Sequence, residues 1–147
     1  LFANSCKSVA MLSGVSEHTQ LLAYNFGRSF GLAFQLVDDM LDFVSTSEIM
    51  GKPAANDLKL GIATAPVLFA AEEHPELNEL ILKRFSQKGD VQKAWDLVVN
   101  SKGLDKTRAL VREQVQYAVD LASKFPNGHG VRDRLIDLVM CQIERRK

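Results

Sequence analysis

Apolar residues recur along this chain at intervals of three and four, while strict apolar–polar alternation and hairpin dipeptides are scarce. That spacing predicts helices over about 2–13, 17–45, 64–73, 76–85, 90–101, 104–124 and 131–146. Ser16 with Glu17 behind it starts the second of these, and Asp90 opens another apolar-periodic run. Pro75 and Pro126 stop the helices before them, and Gly14, Gly89 and Gly103 mark turns. The one extended irregular stretch is residues 45–61, "STSEIMGKPAANDLKLG", whose glycines, proline and mixed charges predict an ordered loop. No internal repeat and no linker divides the pattern. The expected fold is an all-α helical bundle, with residues 1–147 forming a single helical domain.

Composition supports this and narrows the function. A 147-residue chain with 46% apolar content can bury a real core. Lys+Arg and Asp+Glu number 18 each, so the net charge is zero and no basic surface of the kind nucleic acid requires is indicated. Cys6 and Cys141 lie inside apolar helical patterns without CxxC spacing, which predicts reduced core residues of an intracellular compartment. No apolar run approaches the ~20 residues of a membrane span. The first residue is Leu1, in mid-pattern, and a processed or truncated product is the expectation.

One segment departs from the apolar theme. "LAFQLVDDMLDF", residues 32–43, sets Asp38, Asp39 and Asp42 among Leu, Val, Met and Phe. At roughly 100° per residue, Asp38 and Asp42 lie one turn apart on nearly one face, with Asp39 beside them. Steps of three and four backward add Gln35, Gly31 and Arg28, while Leu36, Val37, Met40, Leu41 and Val44 gather opposite. Clustered carboxylates repel, resist ionisation when desolvated, and are disfavoured near a helix C-terminus. A solvated face paired with lysines elsewhere is the plain reading. Against it stand the apolar flanks, the small or amide-bearing Gly31, Ala33 and Gln35 that let another body approach, and the downstream Lys52 and Lys59 beside Asp57. Carboxylates that bind Mg2+ through one or two oxygens, leaving positions for water and phosphate, suit the handling of diphosphates.

These residues resemble the trans-isoprenyl diphosphate synthase family. Its second aspartate-rich motif, G-x-x-F-Q-x-x-D-D-x-x-D, is matched by Gly31, Phe34, Gln35, Asp38, Asp39 and Asp42. The following G-K-x…D-[LI]…G-x-x-T-x-P segment is matched by Gly51, Lys52, Pro53, Asp57, Gly61, Thr64 and Pro66. "NSCK" near the start and "DLKLGIATAPVLFA" look most like the mitochondrial long-chain polyprenyl synthases that make the ubiquinone side-chain precursor.

The resemblance implies an isoprenoid-synthase-type bundle and Mg2+-dependent elongation of an allylic prenyl diphosphate with isopentenyl diphosphate. It implies metal binding by Asp38, Asp39 and Asp42, with Asp38 the most direct contact. It places Lys52 on the allylic diphosphate, Gln35 and Phe34 near the reacting carbon, and Asp57 and Lys59 in the substrate region. Ile62 stands where many relatives carry a second lysine. The family's first aspartate-rich motif falls before Leu1, so the chain corresponds to the C-terminal half of a synthase. The missing half, or another subunit of a homo- or hetero-oligomer, is then the expected partner, and mitochondria the expected compartment. Two alternatives stay open: a non-catalytic partner or regulatory subunit of a heteromeric synthase, and a fragment of a class I terpene cyclase.

The remaining features read more plainly. His18, His74 and His129 have no metal-ligand spacing, and Trp95 falls on the apolar side of its helix. Arg145 and Arg146 in the terminal "ERRK" read as a solvated tail, with a substrate contact as the alternative.

Overall fold

A computed structural model of the chain describes residues 1–44, 55–126 and 128–141. Eight α-helices and no strand occur among them: α1 (Phe2–Leu12), α2 (Glu17–Val44), α3 (Asn56–Lys59), α4 (Ala65–Ala71), α5 (Glu76–Leu82), α6 (Asp90–Val99), α7 (Gly103–Ala122) and α8 (Val131–Met140). A 3₁₀ turn, Gly128–Gly130, precedes α8. Backbone packing groups the chain into two compact units. One contains residues 1–37 and the described residues from 110 onward; the other contains the described residues of 38–109.

The first unit is built from two apolar stripes at helical spacing. Phe26, Phe30, Ala33 and Val37 are buried on α2, and Val111, Val115, Ala118 and Ala122 on α7. Each set steps by three and four, which keeps it on one helix face. Phe26 stacks on Phe30 at 6.3 Å and meets the edge of Phe125 at 5.9 Å. α1 crosses α2 where α2 has no side chains to obstruct it. A Cβ added to Gly27 would lie 2.7 Å from the Phe2 carbonyl oxygen, and one added to Gly31 would lie 3.0 Å from the Phe2 ring. Ser16 starts α2 as the sequence predicts: its Oγ accepts the Thr19 N–H at 3.4 Å and shares a hydrogen bond with the Thr19 hydroxyl.

The second unit packs short helices around Leu58, Val67, Ala70, Leu77, Leu80, Phe85, Ala94 and Val98, with Phe43 at the end of α2 and Trp95 partly buried against them. Fully burying one leucine such as Leu77 contributes about 1.5–3 kcal/mol. Gly103 is the first residue of α7 rather than a turn residue, and its α-carbon faces the Pro66 carbonyl too closely for any side chain. Beside it, Lys106 Nζ donates to Glu72 Oε2 at 2.7 Å and the Lys102 N–H donates to Glu73 at 3.3 Å. The Glu72 hydrogen bond raises the Lys106 pKa.

α6 begins at Asp90, where its predicted range begins; Gly89 before it, at φ 96°, is the N-cap, and Asp90 Oδ2 accepts the Gln87 N–H at 3.0 Å. One expectation is corrected here. The cysteines are not a core pair. Cys6 is half-buried, and burial pushes its thiol pKa up, while Cys141 follows α8 at the C-cap and is exposed.

Candidate functional site

The C-terminal half of α2 carries the acidic segment, and burial sorts its three carboxylates. Asp38 is half-buried, whereas Asp39 and Asp42 are only 8% and 5% exposed. The solvated-face reading therefore fails for two of the three acids. Val44, expected on the apolar side, is exposed, and Leu36 and Val37 hold that side instead.

Asp42 is engaged by the chain itself. Its Oδ2 accepts the Asp57 N–H at 2.9 Å, and its main-chain carbonyl accepts the Ala55 N–H at 3.2 Å. These bonds organise α3, which lies inside the stretch expected to be loop. Ala55 occupies the α3 N-cap with left-handed angles, φ 39° and ψ 41°, and has no side chain able to cap the helix. Alanine is a poor N-cap, and a first-turn amide left without a partner in a buried place is costly. The Asp42 carboxylate supplies the missing acceptor from fifteen residues upstream. Burial of Ala55 and Leu58, at 1% and 0% exposure, holds the turn in place.

The other predicted residues divide as follows. Asp57, the second residue of α3, is half-buried, and Lys59, its last, is exposed. Gln35 is exposed on α2. Phe34 is half-buried, its ring 5.6 Å from that of Phe2, and Phe2 in turn meets Phe30 edge-on at 5.1 Å. The body that approaches Gly31 is thus the Phe2 ring of α1, and Ala33 is fully buried. Lys52, with Gly51 and Pro53, lies outside the described residues, as do Arg145 and Arg146.

Among the described residues no group of three or more His, Cys, Asp or Glu side chains could together hold a metal ion. Mg2+ does not need such a cage. It commonly takes one or two carboxylates and completes its octahedron with water and substrate phosphate. Hard oxygen donors are the right type, and the half-buried Asp38 fits that demand. One oxygen of Asp42 is already committed to the Asp57 amide.

Sequence reasoning missed two participants. The capping role of Asp42 has no local signature, because donor and acceptor are far apart in the chain. Phe2 gave a faint signal, as an aromatic residue with apolar neighbours one helix before two glycines spaced by four. No described helix is long and apolar enough to cross a membrane.

Comparison with known proteins shows the family. The pattern of the Polyprenyl synthetase family matches residues 1–98. The whole chain is 42% identical to the probable mitochondrial hexaprenyl pyrophosphate synthase of Neurospora crassa, covering 32% of that protein. It is 45% identical to the human all trans-polyprenyl-diphosphate synthase PDSS1, covering 35% of it. The apo form of an Arabidopsis medium/long-chain length prenyl pyrophosphate synthase superimposes with a TM-score of 0.86 at 39% identity, over 99% of this chain and 50% of that one. A polyprenyl synthase from Caulobacter crescentus, complexed with calcium and isoprenyl diphosphate, does so with a TM-score of 0.79 at 30% identity, over 99% and 46%. The chain spans about a third of the length of these curated relatives. It belongs to the polyprenyl synthetase family.

Proposed function

We propose that this chain forms part of a Mg2+-dependent trans-prenyltransferase. The reaction elongates an allylic prenyl diphosphate with isopentenyl diphosphate to a long-chain polyprenyl diphosphate, the precursor of the ubiquinone side chain. The observation that carries this reading is the motif Gly31, Phe34, Gln35, Asp38, Asp39, Asp42 on one helix, with the Asp57 N–H of the α3 turn, which also carries Lys59, bonded to Asp42 near its end. The names of the relatives as hexaprenyl and polyprenyl synthases support it.

Chemically, the demand is to stabilise a departing diphosphate while keeping water from an allylic cation. Bound Mg2+ supplies charge neutralisation of the diphosphate. Asp38 holds the metal, with the buried Asp39 beside it in support. Lys52 and Lys59 add point charges to the anion site. The Gln35 amide orients substrate near the reacting carbon, and the Phe34 ring face favours positive charge there. The surrounding apolar helix surface excludes solvent. The chain acts together with the remainder of the synthase fold, in the same polypeptide or another subunit of a homo- or hetero-oligomer. By the names of its relatives, that assembly works in mitochondria.

A labelled-isopentenyl-diphosphate turnover assay tests this. The wild-type assembly makes polyprenyl product only with Mg2+, and Lys52→Ala weakens allylic diphosphate binding more than isopentenyl diphosphate binding. Equal losses for both substrates contradict the assigned partner of Lys52. Product formation at the wild-type rate by Asp38→Ala contradicts the metal role.

A further inference from the structure

We propose that Asp42 is a positioning residue: it clasps the first turn of α3 to the end of α2 and thereby sets Asp57 and Lys59 against the acidic face. What it does for substrate rests on the prenyltransferase reading; the clasp itself does not.

Three observations converge on it. Asp42 is 5% exposed, so its carboxylate is compensated within the protein. It makes two bonds to one returning segment, through Oδ2 to the Asp57 N–H at 2.9 Å and through its carbonyl to the Ala55 N–H at 3.2 Å. The segment it holds has no cap of its own, since Ala55 is left-handed and supplies no side-chain acceptor and α3 is a single turn of four residues. A charged acceptor on a backbone N–H gives a short, strong hydrogen bond. In the proposed division of roles the half-buried Asp38, one turn earlier, serves the metal, whereas one carboxylate oxygen of Asp42 is committed to the Asp57 N–H.

Asparagine separates the two roles, because its amide oxygen still accepts the Asp57 N–H while its value as a metal ligand falls. Amide hydrogen exchange on the 147-residue chain reads the clasp directly. In D42A the Asp57 amide exchanges faster by about tenfold or more, and D42N restores most of the protection. In the synthase assembly, D42A raises KM for the allylic diphosphate more than it lowers kcat. D42N keeps the Mg2+ concentration for half-maximal rate within about twofold of wild type, whereas D38N raises it well beyond that. Unchanged Asp57 exchange in D42A overturns the proposal. So does a D42N variant that keeps Asp57 protected yet shifts the Mg2+ requirement as far as D38N does. If D42A does not fold, D42N alone carries the comparison with D38N. An assembly without prenyl transfer sinks the functional reading, and amide exchange still decides the clasp.

Discussion

Replacing Gly27 with alanine tests whether α1 is seated on α2 as described. Mid-helix glycine to alanine gains about 0.8–1 kcal/mol from helix propensity alone. In this structure the added Cβ would lie 2.7 Å from the Phe2 carbonyl oxygen, 2.9 Å from the Phe2 carbonyl carbon and 2.9 Å from Cys6 Sγ. Two of those atoms are backbone and cannot swing aside. Overpacking of this kind costs about 1–3 kcal/mol, and pushing α1 outward also loosens the Phe2 contacts with Phe30 and Phe34, worth about 0.5–1.5 kcal/mol each. The propensity gain does not cover this. G27A is therefore less stable by about 1–2 kcal/mol, a fall in Tm of roughly 3–8 °C for a chain of this size. G31A is the internal control: the three atoms nearest its Cβ all belong to the Phe2 side chain, at 3.0–3.4 Å, and a side chain can give where a backbone carbonyl cannot. Thermal unfolding followed by circular dichroism ranks wild type and G31A together above G27A. A G27A chain as stable as wild type would refute the packing argument.

Other consequences are as direct. Leu77→Ala empties a fully buried position in the second unit and lowers stability by about 2–5 kcal/mol, read by urea titration; a loss under about 1 kcal/mol contradicts the core assignment. Lys106→Gln removes the partner of Glu72 and Glu73. Because the folded state raises the Lys106 pKa above 10.5, its contribution is present below that pH and is lost as pH rises through the folded-state value. The Tm difference between wild type and K106Q is accordingly visible at pH 7 in low salt and closes at strongly alkaline pH. A difference that grows with pH would reverse the sign of the argument.

How much of this was legible in the sequence depended on whether the deciding interactions were local. Helical periodicity located seven of the helices, and the start of α2 was readable because Ser16 caps only three residues away. Their ends were overrun where tertiary packing took over. The predicted helix 76–85 stops at Leu82 because Arg84 and Phe85 turn left-handed, at φ 55° and 52°. Phe85 still satisfies the apolar pattern, yet it is buried by that turn and not by a continuing helix. α3 falls within a stretch whose pattern predicts a loop, because a four-residue turn has no periodicity and its cap comes from Asp42. The motif residues themselves were legible because their spacing is fixed by one helix. The burial that separates Asp38 from Asp39 and Asp42 was not, since it is set by residues distant in sequence.

The central claim is that Asp38 brings a divalent metal to a diphosphate. Isothermal titration of farnesyl diphosphate into the synthase assembly, with and without Mg2+, tests it most directly. Wild type binds tightly only with the metal present, and Asp38→Ala abolishes the metal-dependent part while helix content stays unchanged. Metal-dependent binding that survives in a folded D38A protein would contradict it.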